Sequence, residues 1–151
     1  MIRNTEGAAA APLLAVVERV KPGRWLAIAS SGISEGMAHV PAGVGIERLS
    51  SSLFAVMSVS RSAESPLIGW LADASDDESL DAFFTVQGTA RDSERRELEM
   101  GRLPEVPDHA WHNVDTVVAV ESTAEFVFFV CVGGETDTVT ELLAQPEARA
   151  A

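Results

Sequence analysis

Three histidines are the side chains in this sequence that could act as metal ligands or as acid–base catalysts near neutral pH. His109 and His112 are three residues apart, a spacing that would place both imidazoles on one helical turn. A closed zinc site needs four ligands, and the chain offers only His39 and Cys131 as further nitrogen or sulfur donors. We therefore predict no metal site, and interpret the histidine pair as part of a solvated, proline-bounded loop.

His39 follows Glu35 by four residues, so a carboxylate lies close in sequence to an imidazole that it could orient. An imidazole held in this way is suited to act as a general base. No nucleophile accompanies it, because Ser31 precedes Gly32 without the Gly-x-Ser-x-Gly elbow, and the chain has no glycine-rich phosphate loop. We predict that His39 contacts a substrate, and expect neither a hydrolase nor a nucleotide kinase.

The charge balance of the chain excludes several classes of partner. Its formal net charge is -12, and Lys21 is the single lysine. Nucleic acids and anionic membranes are bound through clustered positive charge, which the scattered arginines do not provide. No apolar run approaches the roughly 20 residues of a membrane-spanning helix. We expect a cytoplasmic protein that binds a small molecule, with neither nucleic acid nor membrane as a partner.

Length and local patterns predict one domain over residues 1–151, with flexible tails at 1–11 and 146–151. Apolar spacing and capping residues predict short helices at 13–20, 93–100 and 138–144. Runs rich in β-branched and aromatic residues predict strands at 25–29, 37–40, 67–72, 80–89, 116–120 and 126–132. We expect the first two of these strands to form a hairpin, and the last two to form a closing antiparallel pair.

Residues 46–64 contain neither glycine nor proline and support two incompatible periodicities. Four apolar residues recur as on one helix face: Ile46, Leu49, Leu53 and Val56. Residues 53–59 also form a nearly continuous apolar run, which is typical of a strand buried on both faces. Serine favours caps and turns, so the three serines at 50–52 lead us to predict a turn there and a strand at 53–59. The fold class predicted from these elements is α+β, predominantly β, with six or seven strands.

With the strands in this order, the chain resembles the pyridoxamine 5'-phosphate oxidase-like family of FMN-binding split barrels. The resemblance covers about half of the chain. It is carried by LFAVMSVSRSAE at 53–64, the strand at 70–74, FFTVQGTARD at 83–92 with its Val86, Gly88 and Ala90, and the later Trp111, 117–120 and 126–129.

The resemblance implies an antiparallel split barrel with short peripheral helices, in which FMN carries redox chemistry on a small molecule at a homodimer interface. Ser60, Arg61 and Ser62, with Arg48, would then hold the FMN phosphate. Trp111 would pack against the flavin ring, and His39 would contact the substrate. The residues alone leave another interpretation open, in which Arg61 forms a surface ion pair with an acidic neighbour and the two serines cap a turn.

Two alternatives to a flavin oxidoreductase remain at this point. One is a non-catalytic homodimeric α/β scaffold of the roadblock type, which requires a helix at residues 46–64. The other is a split-barrel relative that has lost its flavin and binds a different apolar ligand. Whether the protein is an enzyme is left open between these hypotheses.

Overall fold

The computed structural model describes residues 15–134 and 138–145. The predicted tails at 1–11 and 146–151 lie outside these residues, as do Leu13 and Leu14 of the first predicted helix. Residues 15–18 of that helix are helical, and its apolar side chains Val16, Val17 and Val20 are buried.

A mixed sheet of six strands forms the centre of the described residues, in the order β2-β5-β1-β6-β3-β4. The strands are β1 Trp25–Ser30, β2 Val40–Pro41, β3 Leu67–Leu71, β4 Gly101–Arg102, β5 Val114–Val120 and β6 Phe126–Cys131. Three neighbouring pairs are parallel, namely β1 with β5, β2 with β5, and β3 with β4. β6 runs antiparallel to both β1 and β3.

Every residue of the central strands β1 and β6 is buried, because the sheet is covered on both faces. One face carries Ile28 and Phe128 and packs on two helices, α2 Ile46–Val56 and α3 Asp77–Glu94. The opposite face carries Trp25 and Phe129, which pack with residues of the 3-10 helix Asp108–Asn113 and with Leu142. A short helix, α1 Ser31–Ser34, follows β1 directly.

The strand predicted at residues 53–59 is wrong, because α2 continues to Val56 and only Val59 makes an isolated bridge, to Val132. Leu49, Leu53 and Val56 of the helical stripe are all buried. Burial of this stripe outweighs the preference of serine for turns, which is a weak local effect.

The strand predicted at 80–89 is also wrong, because these residues lie within α3. The helix begins where the Asp76 carboxylate accepts from the Ser79 backbone N–H, 2.9 Å away, and ends at Arg95 in a left-handed conformation. Phe83 is buried against Phe128, whereas Phe84 is 61% exposed. The helices predicted at 93–100 and 138–144 are absent from the described residues, which have a turn at 142–143 in the second range.

The strands predicted near 25–29, 67–72, 116–120 and 126–132 are confirmed, but both predicted pairings are wrong. β1 lies between β5 and β6, and β2 pairs in parallel with β5 instead of forming a hairpin with β1. The α+β class is therefore confirmed. An antiparallel split barrel is not, because the sheet is mixed and has two edges.

Candidate functional site

An open cleft of about 600 Å³ lies at the carboxyl ends of the parallel strands β1, β5 and β2. Ligands of open α/β sheets commonly bind at this edge, where the loops that follow parallel strands meet. The cleft is lined by Ser31, Ser34, Glu35, His39, Pro41, Ala42, Gly43, Val44, Gly45, Ala119, Val120 and Glu121.

Glu121 of the cleft lining is the first residue of the crossover loop, residues 121–125, which carries the chain from β5 over the end of β1 to β6. Two serines at the end of β1 contact this part of the chain. The buried Ser30 Oγ accepts from the Phe126 N–H at 3.0 Å and donates to the Phe126 carbonyl at 3.3 Å. Ser31 Oγ makes a long contact of 3.5 Å with the Ser122 carbonyl. The end of β1 and the crossover loop are therefore one hydrogen-bonded unit.

His39 lies in the cleft wall, and its tautomer follows from its contact with the backbone. Its Nδ1 is 2.9 Å from the Met37 carbonyl oxygen. A carbonyl oxygen only accepts, so Nδ1 carries the proton in this contact and a neutral ring keeps the lone pair on Nε2. The imidazole is exposed and can act as a hydrogen-bond acceptor or a base through Nε2.

The remaining ionisable side chains of the cleft are two exposed carboxylates, Glu35 and Glu121. None of the described residues that line it is lysine or arginine. Carboxylates accept hydrogen bonds from hydroxyl groups, and they repel phosphate and carboxylate groups. Alanine, valine and proline side chains supply apolar contact surface beside them. This composition suits a small neutral molecule with many hydroxyl groups.

Glu78, on the first turn of α3, contacts the crossover loop and is not among the residues that line the cleft. Its carboxylate accepts from Ser122 Oγ at 2.7 Å and from Thr123 Oγ1 at 3.0 Å. These hydrogen bonds, that from Ser122 first, lower the pKa of Glu78 below its usual value near 4.5, because they favour the charged form. The pKa of Asp73 is lowered in a similar way by hydrogen bonds from the side chain and the backbone of Ser75.

Of the residues predicted to hold FMN, Ser60, Arg61 and Ser62 share one turn, whereas Arg48 lies on α2 and Trp111 on the 3-10 helix. The Ser60 N–H donates to Cys131, which pairs with Trp25 at the start of β1, so Ser60 lies at the opposite end of that strand from Ser31. The two ends are about 17 Å apart, at about 3.3 Å for each residue of a strand. Ser60 is buried, and its Oγ accepts from the backbone N–H groups of Ser62 and Ala63 at 3.3 and 3.1 Å.

The other three predicted residues lie in different places. Arg61 is exposed in the turn after Ser60, and Arg48 is exposed on α2, three residues beyond Gly45 of the cleft. Trp111 is half-buried on the face of the sheet away from α2 and α3, with its ring 5.4 Å from that of Phe129. His39 is the one predicted site residue that lines the cleft.

Sequence reasoning missed Glu121 entirely and weighed Ser31 only as a nucleophile. Their positions in the sequence could have indicated both residues, because each follows directly after a strongly apolar strand, and polar side chains at the ends of parallel strands meet at one edge of the sheet. His109 and His112 lie on the 3-10 helix, and His109 Nε2 is 2.9 Å from the Leu143 carbonyl oxygen. Among the described residues, no group of three or more His, Cys, Asp or Glu side chains could hold a metal ion.

The sequence matches no family model, and no curated protein matches it significantly. Solved structures do share its fold. Atu2016, a candidate sugar-binding protein, aligns with a TM-score of 0.72 and 15% identity over 90% of this chain and 97% of that one. The fucose mutarotase of Streptococcus pneumoniae in complex with L-fucose gives 0.57 and 15%, over 85% and 95%. Bacillus subtilis RbsD complexed with D-ribose gives 0.55 and 13%, over 88% and 99%.

Identities this low establish a common fold and nothing finer. They are sufficient to overturn the predicted family, because these folds are those of sugar-binding and mutarotase proteins and not FMN-binding split barrels. The prediction of a flavin oxidoreductase is therefore also wrong. The scaffold alternative required a helix at residues 46–64, and α2 covers Ile46–Val56 of that segment, but the similar structures are sugar-binding and mutarotase proteins and do not support a scaffold. FMN as a ligand stays an untested prediction.

None of the described helices is long and apolar enough to cross a membrane.

Proposed function

We propose that this protein binds a monosaccharide in the cleft at the carboxyl ends of β1, β5 and β2, and interconverts the anomers of that sugar. The observation that carries the proposal is the position and lining of the cleft. Hydroxyl, carboxylate and imidazole groups line it beside small apolar side chains, on a fold that a fucose mutarotase and a ribose-bound protein share.

Recognition of the sugar would use the two kinds of lining surface separately. Glu35 and Glu121 would accept hydrogen bonds from sugar hydroxyls, and Ser31 would accept or donate one. Val44 and Ala119 would contact the C–H groups of the sugar ring, which are apolar. The negative charge of the cleft favours a sugar without phosphate or carboxylate groups.

Anomer exchange needs one group that removes a proton and one that supplies a proton. In the proposed step His39 Nε2 takes the proton of the anomeric hydroxyl, and a water molecule in the open cleft, hydrogen-bonded to the carboxylate of Glu35 or Glu121, protonates the ring oxygen. The bond between the anomeric carbon and the ring oxygen breaks, which leaves an open-chain aldehyde. Rotation about the adjacent carbon–carbon bond and the reverse proton transfers close the other anomer, with no cofactor and no net change in composition.

The test measures binding and exchange on the same protein. Saturation-transfer NMR over a panel of unphosphorylated aldoses would report binding, and exchange between the resolved anomeric proton signals would report catalysis. We expect at least one aldose to bind and its anomers to exchange faster than in buffer. A panel with neither binding nor acceleration would overturn the proposal, and binding without acceleration would reduce it to sugar binding alone.

Three expectations from the sequence complete the proposal. We propose that residues 1–151 form one domain, that the protein is cytoplasmic, and that it assembles as a homodimer. The half-buried Ile68, Trp70 and Trp111 on the face away from α2 and α3 support an assembly surface. Light scattering on the purified protein gives the mass that distinguishes a monomer from a dimer or a larger assembly.

A further inference from the structure

We infer that Glu78 is a positioning residue for the cleft, because it holds the crossover loop whose first residue, Glu121, lines the sugar site. Glu78 is not among the residues that line the cleft, so its effect must pass through the loop. The inference rests on the proposed sugar site for its functional consequence, and on the hydrogen bonds of the loop for its structural one.

One carboxylate organises three consecutive residues of the crossover loop. Its two oxygens accept separately from Ser122 Oγ at 2.7 Å and from Thr123 Oγ1 at 3.0 Å. Ser122 Oγ in turn accepts from the Ala124 N–H at 3.1 Å. Hydrogen bonds to an ionised carboxylate are shorter and stronger than bonds between neutral groups. Glu78 therefore fixes the path of the loop immediately after Glu121.

The same loop residues also contact the cleft side. The Ser122 carbonyl is 3.5 Å from Ser31 Oγ, and Ser31 lines the cleft. Ser122 is thus connected to Glu78 through its side chain and to the cleft through its backbone. Glu78 lies on α3, whose Val86 and Ala90 are buried in the core. The helix therefore holds the loop in place through Glu78, and not the reverse.

The charges around Glu78 show which effect dominates at this carboxylate. The nearby acidic side chains of its own helix, the preceding turn, α2 and the crossover loop are Asp73, Asp76, Asp77, Asp81, Glu47, Glu121 and Glu125. Like charges favour the neutral acid, and Asp76 acts in this direction. The pKa of Glu78 is nevertheless lowered, since the hydrogen bonds from Ser122 and Thr123 outweigh these charges. The contact is therefore formed by the ionised group, is complete above pH 4.5, and is lost as the pH falls through the lowered pKa.

The experiment compares Glu78→Ala with Asp77→Asn, which removes one charge from the same exposed helical turn. With the aldose that binds the wild type as the probe, we expect Glu78→Ala to raise Kd by about three- to tenfold and Asp77→Asn to leave it within twofold. Glu78→Asp, which is too short to reach both hydroxyls, should fall between them. An unchanged Kd in a folded Glu78→Ala protein would overturn the inference.

A second readout separates this inference from the proposed function. Amide hydrogen exchange at residues 121–124 should be faster in Glu78→Ala and unchanged in Asp77→Asn, whether or not any aldose binds. In Ser122→Ala, the carboxyl carbon NMR signal of Glu78 should titrate at a higher pKa than in the wild type, because the strongest donor is gone. Unchanged exchange and an unchanged titration would overturn the positioning role even if the sugar site is real.

Discussion

The two ends of β1 carry similar sets of polar residues, but they use them differently. At the carboxyl end, Glu35, Glu121 and His39 are exposed around an open cleft. At the amino end, Glu94, Arg96, Arg24 and Asp115 contact one another or the backbone, and Ser60 is buried. Polar residues that the fold already uses are committed to stability, whereas exposed groups that converge on a cleft remain available to a ligand.

Glu94 and Arg96 make most of the polar contacts at the amino end of β1. The Glu94 side chain is 1% exposed, and its Oε2 accepts from the Val59 N–H at 3.1 Å. Arg96 Nη2 donates to the Val59 and Ser60 carbonyls at 3.3 and 3.0 Å, and its Nε lies 3.7 Å from Glu94. The segment on which FMN binding was predicted is therefore held by a buried acid and its arginine partner.

Arg24 and Asp115 extend the same pattern to the starts of β1 and β5. Arg24 Nη2 lies 2.8 Å from Asp115 Oδ1, and its Nε donates to the same oxygen at 2.9 Å. Arg24 also donates to the His112 carbonyl at 3.1 Å. The pair is partly buried, so it contributes more than a fully solvated ion pair would. Arg24 thus joins the starts of these two strands.

Glu94→Ala should have the largest effect, because it leaves Arg96 and the Val59 N–H without the buried carboxylate. We expect the free energy of unfolding to fall by about 3 to 5 kcal/mol, measured by urea denaturation. Glu97→Ala, at an exposed position three residues later, is the matched control and should change it by less than about 0.5 kcal/mol. Equal effects of the two variants would mean that the amino end is not held by its buried acid.

His39→Gln tests the carboxyl end of the comparison and should act on chemistry, not on stability. Loss of a general base lowers the rate by about 100-fold or more, so anomer exchange should approach the rate in buffer. Because His39 is exposed, the free energy of unfolding should stay within about 0.5 kcal/mol. Retained exchange in a folded His39→Gln protein would remove His39 from the proposed mechanism.

The sequence predicts the strands of this fold better than their arrangement. Apolar runs located β1, β3, β5 and β6, but the insertion of β1 between β5 and β6 depends on contacts distant in sequence, which no local pattern records. The aromatic and β-branched residues at 83–86 favour a strand locally. The helix forms there because Asp76 caps it and because one of its faces is buried in the core, which overrides local propensity.

The candidate site was predicted less well than the fold, for a related reason. Ser60, Arg61 and Ser62 have the residue types of an anion site, but the types alone do not reveal that a backbone turn already uses the Ser60 hydroxyl. His39 was predicted from its residue type and its neighbour Glu35. The rest of the cleft is assembled from three separate strand ends, and their meeting could be inferred only from the parallel pairing of β1, β2 and β5.

Two glycines offer a steric test of the same comparison. A Cβ at Gly133 would lie 2.9 Å from both the Ser60 Cα and the Val59 carbonyl oxygen, whereas one at Gly45 in the cleft would meet nothing within 4 Å. Gly133→Ala should lower the free energy of unfolding by about 1 to 3 kcal/mol, the cost of overpacking against backbone. Gly45→Ala should lower it by only about 0.5 kcal/mol, since Gly45 is the N-cap of α2 and alanine is a poorer cap. Similar thermal denaturation of both variants would show that the amino end is no tighter than the cleft end.

Arg61→Ala should have the smallest effect of all. Its side chain is exposed near the amino end of β1, a strand about 17 Å long with the cleft at its other end, so sugar affinity should be unchanged and the free energy of unfolding should move by less than about 0.5 kcal/mol. The same variant tests the anion site predicted from the sequence, through an FMN titration followed by flavin fluorescence. Saturable quenching by the wild type that is lost in Arg61→Ala would make the amino end a binding site, and would end the distinction between a structural and a functional end of β1.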